Sequence, residues 1–449
     1  MVYGTVLRRG DNGGVSNVCA SRAPRYGSPM TAEPNTVATE RTSVELFAGA
    51  GGLAQAVQRA GFRALLFNEW DRRAGETLEA NGAKPRVELD RVPSPGEPTP
   101  LVVGDVRELD MRYLRAADVD VLAGGCPCQP FSLGGIHKGV EDERNGFPHM
   151  FRAAREVRPK VMMVENVRGL LRASFRPYFE YIQRELAHPF AVRANDSTWE
   201  QHDATLRDLI AAGGGPSSER YDVVVTPVNA ADYGVPQVRS RVIMVAFRSD
   251  LGVDLAAFRK AVRPTHSETA LNQSIRDGSY WERHPNVPAF VRERVVASLP
   301  EAEVDDGLLP WATLRDAIEG IDGQPTLPPI PTQFLDRKER MLGGVREHIG
   351  WPGARIYKGH TPNLLDRPAK TVKAGVHGVP GGESVMLLDD GTHRYMSVRE
   401  TARVMTFPDD WILEGPRGEQ MRQLGNAVPV KLGEAVARAV REVLDQAGA

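Results

Sequence analysis

The chain has only three cysteines in 449 residues, which is too few for a disulfide framework. It also lacks an apolar run near the about 18 residues that a membrane-spanning helix needs. Its first residues have neither the basic start nor the apolar middle of a secretory signal peptide. A formal charge of −2 neither requires nor excludes a nucleic-acid partner. These absences favour an intracellular globular protein with no membrane partner, long enough for two or three domains.

Two of the three cysteines lie in the short stretch 124–132, which reads GGCPCQPFS. It directly follows the apolar run 119–123, and an apolar run that ends in two glycines is typical of a buried strand that stops at a loop. Open α/β sheets carry their chemistry in such loops. One of the thiols, Cys126 or Cys128, is therefore a candidate nucleophile. A zinc site is the weaker interpretation, because no further cysteine or histidine cluster accompanies the pair.

Strands and amphipathic helices alternate from Ser43 to about residue 250. This alternation predicts an α/β fold in which a parallel sheet is connected by crossover helices. Segment 188–220 is longer than an ordinary connection, so we interpret it as an insertion with a helix near 199–211. Two further strands, 221–228 and 241–247, are predicted to form a terminal pair.

The composition changes outside this region. Residues 1–41 are rich in Gly, Ser, Thr and Pro without helical or strand period, which predicts a disordered tail. Residues 251–390 lack the alternation and predict a second domain of irregular structure. Helical order returns in 391–449, where Ser397 and Glu400 are spaced as a capping box and a long final helix is expected from Val430.

A basic stretch lies inside the second domain. Residues 336–373 carry nine Lys and Arg against four acids, with His348, Trp351 and Tyr357 interleaved. One interpretation is a surface that contacts phosphates. The other is the solvated face of an ordinary domain.

The first strand–turn–helix unit has the features of a nucleoside site. Gly49, Gly51 and Gly52 would let the backbone approach a ligand at the start of a helix. Glu69 ends the second strand about 20 residues on, where a ribose-hydroxyl acceptor is expected. Asp105 ends the third strand and could accept from an adenine amino group, and Trp70 offers a flat face. Tight packing of the glycines and a core position for Trp70 are the alternatives.

Polar residues also follow the other strands. Glu165 ends an apolar strand that starts at Val161, so its carboxyl group is expected to be partly buried and is a candidate acid. Arg239 and Arg241 are two residues apart at the start of a strand, which predicts that they point to one face. Together they could hold a carboxylate or a phosphate.

Six blocks of the sequence, in this order, resemble those of the DNA (cytosine-5)-methyltransferases. The blocks are 47–52 (FAGAGG), 127–132 (PCQPFS), 165–167 (ENV), 237–241 (QVRSR), 399–408 (RE with FP) and 425–429 (GNAVP). The resemblance implies a Rossmann-like S-adenosylmethionine-dependent methyltransferase sheet with helices on both faces. It assigns 42–250 to a catalytic domain, 251–390 to a target-recognition domain, and 391–449 to a segment that packs back on the catalytic domain.

The resemblance also implies a mechanism. Cys128 would attack carbon 6 of a flipped-out cytosine, so that carbon 5 can take a methyl group. Glu165 would hold the N3 and amino edge of the base, and Arg241 its carbonyl oxygen, with Arg239 ordering the site. The motif places the reactive thiol second, which leaves Cys126 as packing.

The resemblance also implies the remaining site residues, several of which lie outside the six blocks. S-adenosylmethionine, which leaves as S-adenosylhomocysteine, would contact Phe47, Gly49, Gly51, Glu69, Trp70 and Asp105, with Asn426 and Val428 closing the site; no metal is implied. Gln129, Ser132, Lys138, Gln237, Arg355 and Lys358 are candidate DNA contacts, and the glycine-rich loop 131–147 would close over the duplex. The expected partners are double-stranded DNA and a cognate restriction endonuclease that acts on the same site. The protein is expected to be a monomer in the cytoplasm, associated with the nucleoid.

Three rival interpretations stay open. An RNA cytosine-5 methyltransferase would share most blocks, although it is expected to lack a recognition domain as large as 251–390. A catalytically idle DNA-binding regulator of the same fold is opposed by the presence of Cys128, Glu165 and Arg241. A redox enzyme that uses both thiols would lose activity on Cys126→Ser, whereas the methyltransferase would lose it on Cys128→Ser.

Overall fold

The protein is described by a computed structural model that covers residues 40–127, 145–301, 304–320, 323–331, 340–356, 358–374 and 382–449. Several sequence-based predictions therefore lie outside the described residues. These are the disordered tail, the loop 131–147 over most of its length, and the side chains of Cys128, Gln129, Ser132, Lys138 and Tyr357.

Eight strands form the central sheet of the described chain. They are β1 (Arg41–Leu46), β2 (Phe62–Glu69), β3 (Lys84–Pro85), β4 (Pro100–Val103), β5 (Val121–Gly124), β6 (Val161–Val167), β7 (Tyr221–Asn229) and β8 (Ser240–Arg248). Their spatial order is β3-β4-β2-β1-β5-β6-β8-β7. All pairs are parallel except those of β8, which is antiparallel to both β6 and β7. The predicted parallel sheet and the predicted terminal pair are confirmed, and the reversal of β8 makes the sheet mixed.

The α-helices follow the strands in the predicted alternation and then continue through the second half of the chain. In chain order they are α1 (Gly52–Arg59), α2 (Arg72–Ala80), α3 (Phe147–Val157), α4 (Arg176–Ala187), α5 (Trp199–Ala211), α6 (Leu255–Ala261), α7 (Glu268–Asp277), α8 (Ser279–Arg283), α9 (Ala289–Ala297), α10 (Leu314–Glu319), α11 (Val398–Val404), α12 (Arg417–Asn426) and α13 (Val430–Ala447). The helix expected in the 188–220 insertion is α5.

Both faces of the sheet are buried. Successive side chains of a strand point to opposite sides, and helices cover each side. Leu122 and Met162 belong to a core cluster with α3 and α4, while Ala123 and Met163 belong to a second cluster with α1, α6 and α13. This arrangement confirms an α/β fold with helices on both faces. Among the described residues, no helix is long and apolar enough to cross a membrane.

The strand order places a crevice at one edge of the sheet. β1 lies between β2 and β5. The strands that directly follow β1 in the chain, β2 to β4, lie on one side of it, and the later strands β5 to β8 lie on the other. The carboxyl ends of these parallel strands meet at this switch point, which is where open α/β sheets bind ligands. Phe47 and Glu69 lie at such ends. Glu165 lies within β6 rather than after it, because pairing with β8 continues to Val167.

Beyond residue 250 the described chain combines the helices α6 to α13 with short strands. Its strands are two or three residues long: β9 (His266–Ser267), β10 (Leu309–Pro310), β11 (Met341–Leu342), β12 (Val345–Arg346), β13 (Asn363–Leu364), β14 (Val385–Leu387) and β15 (His393–Tyr395). A buried ion network supplies part of its cohesion. Arg315 is 3% exposed and forms ion pairs with Asp366 and Asp389.

The C-terminal part of the chain packs against elements of its N-terminal part. Ser397 and Glu400 form the predicted capping box at the start of α11. Helix α13 begins at Val430, as expected, and crosses α1 closely. A β-carbon at Gly433 would lie 2.7 Å from that of Ala56, so only glycine permits this approach.

Candidate active site

Glu165 and Arg241 form the centre of the candidate site. Glu165 on β6 is opposite Ile243, and Arg241 on β8 is opposite Val167, so the two side chains are diagonal neighbours on one face. Oε1 of Glu165 lies 2.8 Å from Nε of Arg241, and both side chains are nearly buried. Nη1 of Arg241 donates to its neighbour's carbonyl, Ser240 O, at 2.8 Å. The carboxylate is thus oriented by a guanidinium that is itself fixed.

The chain that leads to Cys128 passes beside this pair. A β-carbon at Gly125 would lie 3.8 Å from Oε2 of Glu165. Nδ2 of the buried Asn166 donates to the carbonyl of Cys126 at 3.2 Å, and Oδ1 of Asn166 accepts from Val167 N at 2.8 Å. Asn166 therefore joins the strand of Glu165 to the segment just before Cys128. Sequence reasoning placed Asn166 in a block but missed this contact.

Cys126 and residues 145–146 pack near the same region. Cys126 is 4% exposed and belongs to a hydrophobic core cluster, which fits the packing role predicted for it. Gly146 N donates to Pro127 O at 3.1 Å, and Asn145 Nδ2 donates to the hydroxyl of Tyr178 at 2.6 Å. These bonds fix the described chain on both sides of the segment 128–144.

Arg239 is bonded to main-chain carbonyls rather than free to hold a ligand together with Arg241, and the ordering role that the resemblance implies for it stays a prediction. Its guanidinium is 1% exposed and donates to three main-chain carbonyls, those of Val372 at 2.8 Å, Gly425 at 2.8 Å and Ala427 at 3.0 Å. Burial, with the nearby charge of Arg241, lowers the pKa of the Arg239 guanidinium. Arg239 therefore fixes two distant segments next to the site.

Gln237 is likewise buried, which corrects its prediction as a DNA contact. The residue is fully buried, and its Oε1 accepts from Val372 N at 2.9 Å while its Nε2 contacts Sδ of Met405 at 2.9 Å. Since both polar ends have protein partners, the side chain links the segment around Val372 to α11.

The turn at residues 49–52, called the glycine turn below, is joined to Glu69 by a hydrogen bond. The carboxylate of Glu69 accepts from Gly49 N at 2.6 Å and from Asp71 N at 2.7 Å. Burial raises the pKa of Glu69, although these two N–H groups oppose the shift. Phe47 and Gly49 have positive φ, at 57° and 55°, a conformation that a non-glycine residue such as Phe47 adopts rarely. A β-carbon at Gly49 would meet no atom within 4 Å, so space is open on that side.

Trp70 and Asp105 line the same edge of the sheet. Trp70 is 66% exposed, which excludes the core position considered for it. The guanidinium carbon of Arg107 lies 5.7 Å from the centre of the Trp70 ring. Asp105 accepts from Nε of Arg107 at 2.8 Å, and this contact lowers the pKa of the Asp105 carboxyl group.

The two predicted C-terminal site residues are placed differently. Asn426 is exposed at the end of α12. Val428 is buried, with its side chain in the core cluster that contains Leu53. Its carbonyl oxygen closely approaches Gly52, where a β-carbon would collide with it. Val428 thus meets the glycine turn through its backbone.

The basic stretch divides into paired and unpaired cations. Arg340 pairs with Glu347, Lys373 with Glu383, and Arg367 with Glu268. In the part of the chain that the structure describes, Arg346, Arg355 and Lys358 are exposed and form no ion pair. His348 and Trp351 are buried, so neither lies on the phosphate-contacting surface or on the solvated face considered for this stretch.

The chain is similar to known proteins over most of its length. The sequence model of the family described as C-5 cytosine-specific DNA methylase matches residues 41–188 and 217–442, and the gap falls in the insertion. The type II methyltransferase M.Eco47II of Escherichia coli is 31% identical over 420 residues, 90% of this chain and 80% of the relative. M.HhaI of Haemophilus parahaemolyticus is 28% identical over 88% of this chain and 92% of the relative.

Two solved structures share the fold. One is a putative DNA modification methyltransferase encoded within an E. coli prophage, with a TM-score of 0.53 and 18% identity over 90% of this chain and 99% of that one. The other is the Dnmt2 methyltransferase of S. pombe, with a TM-score of 0.50 and 16% identity over 90% of this chain and 98% of that one.

Proposed function

The chain belongs to the family of C-5 cytosine-specific DNA methylases, and from that membership we propose how its residues divide the reaction. It is a DNA (cytosine-5-)-methyltransferase, which transfers a methyl group to carbon 5 of cytosine. The observation that carries the proposal is the ion pair of Glu165 with Arg241 at 2.8 Å, next to the end of the strand that leads to Cys128.

Cys128 is the nucleophile of the proposed reaction. Carbon 5 of cytosine is a poor nucleophile, and addition of a thiolate to carbon 6 turns the ring into an enamine whose carbon 5 can attack a methyl group. A base then removes the proton from carbon 5, the sulfur–carbon bond breaks, and the thiolate leaves. Cys126 is unsuited to this role because its thiol belongs to the core.

Glu165 binds the N3 and amino edge of the cytosine and shares a proton with it as charge develops on the ring. Arg241 holds the Glu165 carboxylate in place and contacts the carbonyl oxygen of the base. Arg239 orders the site by fixing the segments of Val372 and Gly425. Arg239 is therefore a positioning residue, because its Nη1 and Nη2 already donate to main-chain carbonyls.

The methyl donor is S-adenosylmethionine, whose sulfonium supplies an electrophilic methyl carbon and which leaves as S-adenosylhomocysteine. The residues present fit it. Open space at Gly49 adjoins the start of α1, where N–H groups attract a carboxylate. The buried carboxylate of Glu69 accepts from ribose hydroxyls, the exposed ring of Trp70 contacts the nucleoside, and Asp105 accepts from the adenine amino group. Phe47, Gly51 and the exposed Asn426 complete the boundary of the site.

The substrate cytosine leaves the duplex to reach Glu165, because a nearly buried carboxylate cannot meet a base inside the stack; extrusion costs a few kcal/mol. Residues 251–390 select the target, and Arg346, Arg355 and Lys358 contact phosphates. Gln129 and Ser132 belong to the proposed DNA contacts through their sequence block alone, and Lys138 through its place in the loop 131–147. Since the relatives are named type II methyltransferases, we propose a monomer of a restriction-modification system in the cytoplasm, with a cognate endonuclease as partner.

Covalent trapping tests the assignment of roles. The purified chain is incubated with S-adenosylmethionine and a DNA duplex library that carries 5-fluorocytosine, which blocks release after methyl transfer. The wild-type chain and Cys126→Ser are expected to form a DNA adduct that survives denaturation, and Cys128→Ser is not. Bisulfite sequencing of DNA from cells that express the chain identifies the target site. An adduct with RNA but not with DNA, or one that depends on Cys126, contradicts the proposal.

A further inference from the structure

Trp411 lies directly against the glycine turn, although it is 361 residues away in the sequence. Its indole Nε1 donates to the carbonyl of Ala50 at 3.1 Å. Ala50 lies between Gly49, whose N–H donates to Glu69, and Gly51, which precedes α1. The indole therefore fixes the peptide group in the middle of the turn.

The ring of Trp411 also fills the space beside Gly51. A β-carbon at Gly51 would lie 2.8 Å from Cζ2 of Trp411 and 3.0 Å from Cδ2 of Leu78. At Gly49, by contrast, a β-carbon would meet no atom within 4 Å. The two glycines thus serve different purposes: Gly49 leaves space on the open side of the turn, whereas Gly51 admits the Trp411 ring on the other side.

Trp411 is itself held from both directions. The buried guanidinium of Arg399 donates to the carbonyls of Pro408 at 3.0 Å and Trp411 at 3.1 Å. The next residue, Ile412, exchanges two hydrogen bonds with the side chain of Asn81, at 2.7 and 3.0 Å. The indole is therefore a fixed support behind the turn.

We propose that Trp411 is a positioning residue for the methyl donor, an inference that rests on the proposed cofactor site. The hydrogen bond to Ala50 holds the turn so that its open side and the Gly49–Glu69 contact keep the geometry that binds the cofactor. Without the indole N–H, the turn has additional conformations, and binding must select among them. The dissociation constants of substrate and product cofactor rise together, because both meet the same turn.

The test is Trp411→Phe, which keeps a ring and removes the donor. Trp281→Phe is the matched control, since the Trp281 indole also donates to a carbonyl at 3.1 Å, that of Ile275, away from the turn. Calorimetric titration of Trp411→Phe is expected to show about fivefold weaker binding of S-adenosylmethionine and S-adenosylhomocysteine, the effect of losing one hydrogen bond. Its DNA affinity and its kcat at saturating cofactor should equal those of the wild-type chain.

Trp281→Phe is expected to lose similar stability towards urea and to keep wild-type cofactor affinity. Equal cofactor affinity in Trp411→Phe and the wild-type chain overturns the inference. Equal weakening in both variants also overturns it, because the effect is then one of general destabilisation. If the wild-type chain binds no S-adenosylmethionine, the proposed function itself fails, and this result is distinct from any difference between the variants.

Discussion

Nε of Arg241 lies 2.8 Å from Oε1 of Glu165, across two antiparallel strands at the switch-point edge of the sheet. The side chains are 13% and 11% exposed, so water screens the pair little. Loss of one partner would leave the other charge buried without compensation. The two residues therefore act as one unit, and the pair sets the direction in which the carboxylate can meet a base.

Replacing Glu165 by glutamine preserves its shape and removes the group that shares a proton with the base. Glu165→Gln is expected to lower kcat by about 10²–10⁴-fold, the usual contribution of a positioned acid or base. Its affinity for S-adenosylmethionine should not change, because Glu69 and the glycine turn are untouched. Transfer of a labelled methyl group to DNA measures kcat. Glu185→Gln, at another buried carboxyl group, is the control, and wild-type turnover by Glu165→Gln would exclude Glu165 from the chemistry.

The sequence was sufficient to locate residues whose role depends on their place after a strand. Glu69 and Glu165 were found because each comes at the end of an apolar run, and the structure places both, buried, at the same sheet edge. Arg239 and Gln237 could not be assigned in this way. The acceptors of the Arg239 guanidinium lie 133 to 188 residues further along the chain, and such long-range contacts leave no local pattern.

Arg239→Met is expected to affect stability more than chemistry. It removes the donors to the carbonyls of Val372, Gly425 and Ala427, and each buried group left without a partner costs about 1–3 kcal/mol. The free energy of unfolding in urea should therefore fall by at least about 3 kcal/mol. Arg438→Met, which removes an exposed pair within α13, should cost about 0.5 kcal/mol or less. Similar losses in the two variants would contradict the assignment.

The same limit applies to the fold. Hydrophobic patterning predicted the alternation of strands and helices, the insertion helix α5 and the start of α13, because these depend on local periodicity. It could not predict the reversal of β8, which is set by pairing with β6 and β7. Nor could it separate His348 and Trp351 from the exposed cations of the basic stretch, since burial there depends on contacts such as that of Trp351 with Arg417.

His284 should make stability depend on pH. Burial opposes its charge, but hydrogen bonds to Asp316 at 3.0 Å and Glu319 at 2.6 Å outweigh this and raise the pKa of His284 above 6.5. Arg283 and Arg315 also face these carboxylates. A raised folded-state pKa contributes stability that is fully present below pH 6.5 and is lost as pH rises through the folded value. The difference in unfolding free energy between the wild-type chain and His284→Gln should therefore shrink from pH 6 to pH 9. A constant difference would contradict the prediction.

Arg355 and Lys358, which form no ion pair with any described residue, should contribute more to DNA binding than the paired cations of the same stretch. Each phosphate contact contributes about 0.9 to the slope of log K against log salt, so Arg355→Gln with Lys358→Gln should flatten the slope by nearly 2. The matched control neutralises Arg340 and Lys373, which already pair with Glu347 and Glu383 and release fewer counterions. Fluorescence anisotropy of a labelled duplex between 50 and 200 mM salt, roughly the range in which such slopes are resolved, measures both. If the control pair flattens the slope as much, the DNA surface does not follow the unpaired cations.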